Sequence, residues 1–338
     1  MRRATGSLAL TLLVAAVVAG CGTSEQKRAV DARTEVLRFF GVDAPAVALL
    51  RADSPGELVA VDRAASGIPA WQKLRAAVVA PLQAAGLGRG ELLRLVHPAV
   101  EIEGVKASAL AVGVPSATAL RRGQALVVLA TDQDELMDRL LGTAADQGEV
   151  RRAGEVDGAQ LYSGRDAAYA VRDGVLVSAA DLSQVRSAID LRDGDSDKQL
   201  DEDVVNDLFA DLRTEGPVLA YSNFASAVDA DASLGLLARR NPWVDALAEA
   251  AVSMASVGRS LQVELVAKTQ GTELSESERP AGEAPTSFTI SSAGARAAMP
   301  RDSGGAGPAR QLLFGIVPVA GDATASGDEV RAQASFSP

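Results

Sequence analysis

Few residues in this chain have the type and spacing to do chemistry, since it contains one cysteine and one histidine. The cysteine, Cys21, directly follows an apolar run from Leu8 to Ala19 and the small residue Gly20. A thiolate is a strong nucleophile, so this position could carry a covalent attachment. The histidine, His97, precedes Pro98. A zinc site built on it would need partners, and the chain offers neither a second histidine nor a spare thiol, so His97 is expected at a turn or edge. A serine hydrolase would also have to use His97, yet the chain has no Gly-x-Ser-x-Gly elbow. Ser24 and Lys27 have Ser-x-x-Lys spacing, but they lie beside Cys21, in a polar tether that has no walls to orient a substrate. The segment Asp193–Asp201 carries carboxylates at alternate positions and superficially suits calcium. A helix–loop–helix calcium loop needs glycine sixth and glutamate twelfth, where this chain has Lys198 and Val204. The segment is expected to be a solvated linker that caps the next helix. Trp71 and Trp243, each shortly after a proline, read better as helix anchors than as walls of a ligand cleft. There is no Walker loop and no Gly-x-Gly-x-x-Gly after a strand. No catalytic residue, metal site or cofactor is predicted.

The elements before Cys21 explain its position. Arg2 and Arg3 supply a positive start, and the apolar run has the length of a signal-peptide core, too short to span a bilayer comfortably. The run closes on Val18-Ala19-Gly20-Cys21, which resembles the lipobox of bacterial lipoproteins. The resemblance implies that Val18, Ala19 and Gly20 are recognised by the signal peptidase. It also implies that Cys21 becomes a diacylglyceryl cysteine, usually with a third chain such as palmitate on the new amino terminus. Two or three acyl chains hold a protein lastingly where one does so marginally. The alternative is an ordinary secretory leader, or an uncleaved anchor, with a chance cysteine at its end, and the placement of the chain's only cysteine at this position argues against it. The expected location is therefore the outer face of the cytoplasmic membrane, with residues 1–20 removed and 21–28 serving as a lipidated tether.

Charge excludes several partner classes. The formal net charge of the full chain is −11, and losing Arg2 and Arg3 with the leader makes it about −13. Such a surface repels polyphosphate and anionic headgroups, so nucleic acid is not an expected partner and adhesion by charge alone cannot hold the protein to a membrane. Hydrophobic residues make up 47% of the chain but aromatics only 4%, so the core must be packed from valine, leucine and alanine. With one cysteine no internal disulfide can form. The abundance of alanine, glycine and arginine matches the coding bias of high-GC actinobacteria.

Periodicity and caps predict an α+β body with largely antiparallel sheets and helices packed on them. Helices are expected over Glu25–Phe40, after Ser54-Pro55-Gly56-Glu57, and over Pro69–Ala85, Asp134–Ala144 behind Asp132, Asp181–Leu191, Val204–Leu212 and Pro242–Met254. Strands are expected over Ala46–Leu50, Ala107–Val114, Ala125–Thr131, Gly158–Ser163, Ala167–Arg172, Val175–Ser178, Val218–Ser222 and Ser260–Thr269. Asp173-Gly174 is the signal for a two-residue hairpin turn. Ser287–Ser292 is expected to pair beside Ser260–Thr269. The predicted organisation is a main body over 29–270, a flexible linker over 271–287 and a C-terminal unit over 288–338 that could complete the body. Within that unit Gln311–Ile316 reads as helix and Val330–Phe336 as strand.

This element order, with its capped helices, its tyrosine-containing hairpin and a strand beginning at Gly216-Pro217-Val218, resembles a family of uncharacterised actinobacterial envelope proteins grouped as a domain of unknown function. The resemblance covers Ala46 to Lys268 and implies no activity. Three functions are open to such a body. It could be a non-enzymatic interaction module binding an envelope protein or the cell wall, a carrier or chaperone for an apolar lipid ligand, or a carboxylate-dependent hydrolase. The first is preferred because the location is marked and the chemistry is not.

Overall fold

The computed structural model describes residues 32–51, 55–65, 107–122, 124–131, 134–165, 167–194, 196–200, 204–205, 209–212, 216–230, 235, 238–239, 245, 247–257, 260–269, 320–326 and 329–336. Cys21 and the residues before it, Ser24, Lys27, Trp71, His97 and Trp243 lie outside these, as do the elements expected over Pro69–Ala85, Ser287–Ser292 and Gln311–Ile316.

The strands are β1 (Ala46–Arg51), β2 (Ala107–Val114), β3 (Leu126–Thr131), β4 (Arg151–Val156), β5 (Ala159–Ser163) and β6 (Ala168–Arg172), followed by β7 (Val175–Ala179), β8 (Val218–Asn223), β9 (Leu247–Val257), β10 (Ser260–Thr269), β11 (Ala320–Ser326) and β12 (Glu329–Phe336). They form one sheet in the order β11-β12-β10-β9-β8-β1-β2-β3-β7-β6-β5-β4. Every neighbouring pair in it is antiparallel. The helices are α1 (described over 32–37), α2 (Pro55–Ala65), α3 (Ala117–Arg122), α4 (Asp134–Asp146), α5 (Leu182–Asp193) and α6 (Phe224–Ala230). The protein is thus α+β, as the sequence predicts.

Over the central strands β3, β6 and β7 both faces of the sheet are buried, which explains why these strands are near-continuous apolar runs. On one face Leu50, Val112, Leu129, Tyr169 and Leu176 meet Leu58 and Val61 of α2 and Met137 and Leu141 of α4. On the other, Leu49, Ala111, Val128, Ala170 and Val177 meet Val36 and Leu37 of α1 and Val185 and Ile189 of α5. Each fully buried valine or isoleucine of α5 contributes about 1.5–3 kcal/mol. Small residues let the backbones approach closely. At Gly113 of β2 a Cβ would lie 2.7 Å from the Phe40 ring and 2.6 Å from the Ala46 carbonyl, so Phe40, fully buried, rests on bare backbone.

Two hairpins carry the same turn. Asp173-Gly174 joins β6 to β7 with φ of 50° and 75°, and Asp157-Gly158 joins β4 to β5 with φ of 48° and 79°. Positive φ at both central positions is the mirror-image turn whose twist matches flanking strands, and Asp-Gly supplies it. Inside the hairpin stack Tyr162 stands opposite Tyr169 across β5 and β6, both buried. Strand β4, and the Asp157-Gly158 turn that joins it to β5, were not expected.

The expected helix over Pro242–Met254 is corrected by the structure, in which Leu247–Val257 is an eleven-residue strand. Its alanine-rich composition favours helix by intrinsic propensity. Strands β8 and β10 lie on its two sides and pair with its backbone along most of its length, and tertiary pairing overrides a propensity of tenths of a kcal/mol per residue. β10 is flanked by β9 and β12. The described residues 204–205 and 209–210 are helical.

Candidate functional site

Asp181 starts α5: its carboxylate accepts from the amides of Ser183 at 2.9 Å and Gln184 at 3.0 Å. Donation by the Ser183 hydroxyl and the Gln184 amide holds its acid below the usual carboxylate range. At the other end the amide of Gln199, itself buried, donates at 2.9 Å to the carbonyls of both Leu191 and Arg192. Leu191 O also accepts from the Gly194 amide at 3.2 Å, so Gln199 completes the capping of this helix end. Gln199 is fixed in turn because its backbone pairs with Gly41, and the next amide, of Leu200, donates to Phe40 O at 2.7 Å.

This arrangement aims the last turn of α5 at α1. Arg192 donates through Nη2 and Nε to Glu35 Oε1 at 2.6 and 2.9 Å and through Nη1 to Asp193 Oδ1 at 2.8 Å. Its guanidinium lies 5.9 Å from the centroid of the Phe39 ring. The second oxygen of Asp193 accepts from Arg172 Nη1, and Arg172 Nε donates to Asp173 Oδ2 at 3.1 Å. A chain of alternating charge therefore ties α1, α5 and the β6–β7 hairpin together. Burial pushes the Asp193 acid up, but the two arginines outweigh it and hold the group below the usual carboxylate range. Burial also works against the charge on Arg192, and Glu35 and Asp193 overcome it, so Arg192 holds its proton more tightly than a free arginine.

Beneath the ion pairs is a small pocket lined by Phe39, Ala159, Ala170, Val175, Val177 and Ile189, with Arg172 and Arg192 at its rim. It has room for about one water molecule, far short of an acyl chain. A carboxylate locked ionised between two guanidinium groups is unsuited to proton transfer. Its charges are spent on one another, so the cluster is a structural joint between α1, α5 and the β6–β7 hairpin, set over an apolar floor.

A second joint fixes the turn before β1. The Tyr221 hydroxyl lies 3.2 Å from Val42 O and 3.3 Å from Glu249 Oε1, and Asn223 Nδ2 donates to Val42 O at 3.1 Å. Ser222 Oγ donates to Pro45 O at 2.6 Å. Burial, reinforced by the charge on Glu249, pushes the Tyr221 phenol far above its ordinary value, so it stays neutral.

The Asp193–Asp201 segment is corrected in part. Asp193, Gly194, Asp197 and Lys198 are exposed, as a solvated stretch would be, but Asp193 is held by two arginines, Ser196–Lys198 is a 3-10 turn, and Gln199 and Leu200 are buried. Among the described residues no group of three or more His, Cys, Asp or Glu side chains could hold a metal ion. Sequence reasoning missed Glu35, Phe39, Arg172 and Arg192. Arg192 lies one residue beyond the expected helix end at Leu191, and its partner Glu35 lies 157 residues earlier.

Among the described residues no helix is long and apolar enough to cross a membrane. No protein-family model matches the chain, and no curated protein matches it. Among solved structures, crystal form I of TP0453 aligns with a TM-score of 0.45 at 9% identity, covering 89% of this chain and 92% of that one. Crystal form III of the same protein aligns with a TM-score of 0.43 at 7% identity, over 89% and 93% of the two chains.

Proposed function

We propose that this chain is a lipoprotein of the bacterial cell envelope, held on the outer face of the cytoplasmic membrane by a diacylglyceryl group on Cys21, and that its body is a non-enzymatic binding module. The observation that carries the reading is the placement of the only cysteine directly after Val18-Ala19-Gly20 at the end of an apolar run. The body's part in it is supported by the α1–α5 joint, where Glu35 and Asp193 are spent on arginines rather than poised for proton transfer. The partner class is another envelope protein.

The test is metabolic labelling with a fatty-acid probe, followed by cell fractionation, of the natural chain and Cys21→Ser. The natural chain is expected to carry label and sediment with membranes, and the variant to lose both while keeping its thermal unfolding transition. Membrane retention of the unlabelled variant would refute a lipid-only anchor. Native mass spectrometry of the soluble body then separates module from carrier: a bare polypeptide supports the module, and a stoichiometric lipid replaces it with the carrier.

A further inference from the structure

The chain contains three Asp-Gly pairs: Asp157-Gly158, Asp173-Gly174 and Asp193-Gly194. In each, the glycine has no side chain to keep its amide nitrogen away from the preceding carboxyl carbon. In covalent terms the three are alike, and the fold separates them.

Asp193 is engaged through both oxygens by Arg172 and Arg192, and the Gly194 amide is committed to Leu191 O at 3.2 Å. The arginines keep that acid ionised, and an ionised carboxylate is a poor electrophile. Asp173 accepts from Arg172 Nε at 3.1 Å, while Gly174 is buried and its carbonyl accepts from the Thr131 amide at 2.8 Å. That turn is stitched to a third strand. Asp157 and Gly158 are both exposed at the tip of the β4–β5 hairpin, and among the described residues neither is bonded to another part of the molecule.

We propose that Asp157 is a site of spontaneous covalent modification, isomerising to isoaspartate through a cyclic imide formed with Gly158. In the first step the Gly158 amide nitrogen attacks Cγ of the protonated Asp157 carboxyl. A C–N bond forms, the Cγ–O bond breaks, and the oxygen leaves as water with the carboxyl and amide protons. In the second step water adds at the main-chain carbonyl of the imide, cleaving that C–N bond and leaving the backbone routed through Cγ. Atoms balance across the two steps, and no oxidant or co-reactant enters.

The product has one extra backbone methylene inside a two-residue loop that closes Val156 onto Ala159. Strand β4 lies at the sheet edge and pairs with β5 alone among the described strands. It is therefore the strand that loses its register, while β5, β6 and β7 remain bonded to one another.

The test incubates the mature full-length chain, folded and urea-unfolded, at mildly acidic pH. Isoaspartate at each pair is then quantified by peptide mapping with fragmentation that distinguishes the β-linkage. The readout is the folded-to-unfolded rate ratio at each site. It is expected near unity at Asp157 and several-fold lower at Asp173 and Asp193. A ratio at Asp157 as low as at the other two overturns the proposal. Asp157→Glu, which keeps the charge but disfavours the five-membered imide, is expected to remove the signal from that peptide. A signal that persists there would refute the assignment equally.

Discussion

The hairpin stack β5–β7 with α5 and the strand β9 lie in the same sheet, yet their conformations have different origins. In the stack each instruction is local. Asp173-Gly174 has the positive φ that the turn needs, and Asp181 caps its own helix through amides two and three residues on. In β9 the local instruction points the other way: Leu247-Ala248-Glu249-Ala250-Ala251 is a good helix sequence, extended because β8 and β10 claim its hydrogen bonds. Near β9, the turn at 42–45 is held by Tyr221, Ser222 and Asn223, more than 170 residues away. A region specified by its neighbours in sequence survives excision; one specified by neighbours in space does not.

The sharpest way to break this comparison is to excise both regions. A peptide covering 244–257 is expected to lose all β structure and to be helical or coiled by circular dichroism. One covering 157–180 is expected to retain cross-strand contacts between Tyr162 and Tyr169 by NMR. A β-rich 244–257 peptide would show that its strand is locally encoded after all.

Within the intact protein, the largest loss is expected at the spatially specified joint. Phe40→Ala vacates a fully buried ring seated on Gly113, and chemical denaturation should show a loss of about 3–5 kcal/mol.

Next come the two turns. Gly174→Ala and Gly158→Ala force alanine to φ of 75° and 79°, a strain of about 1–2 kcal/mol. At Gly174 the whole strain should register in global stability, since that turn is bonded to β3. At Gly158 fraying of the edge strand relieves it, and hydrogen exchange should speed up in β4 with under about 1 kcal/mol lost globally. Equal global losses would mean that β4 is as integral as β7.

The smallest effect belongs to the cap. Asp181→Ala should cost about 1 kcal/mol, whereas Asp181→Asn, also a good cap, should cost less. Because the native acid of Asp181 lies below its unfolded value, its contribution is present above the ordinary carboxylate pKa, about 3.9. It is lost as pH falls through the lower native value. Denaturation midpoints of Asp181→Asn should therefore fall less steeply than the natural chain's at acidic pH.

Legibility in the sequence follows the same division. The strand Ala107–Val114 and the strand Ser260–Thr269 coincide with the expected spans, and the helix behind Asp181 runs two residues past its expected end. These elements announce themselves through apolar runs, alternation and caps. The edge strand β4 was overlooked because Arg-Arg-Ala-Gly-Glu-Val has too little apolar alternation to stand out, even beside its Asp-Gly turn. In the candidate site, none of Glu35, Phe39, Arg172 and Arg192 was legible, since nothing in a linear sequence marks which distant acid a guanidinium will meet.

By itself, then, the sequence determined the local chemistry of this protein: one cysteine after small residues, the glycines at positive φ, the caps and the α+β class. Each of those depends on atoms within a few residues. The tertiary structure alone decided that β9 is a strand and that Asp193 is locked between arginines. It also decided that, of three equivalent Asp-Gly pairs, Asp157-Gly158 is left unprotected. Those outcomes depend on which hydrogen-bonding groups and charges arrive from elsewhere in the chain, and only folding brings them together.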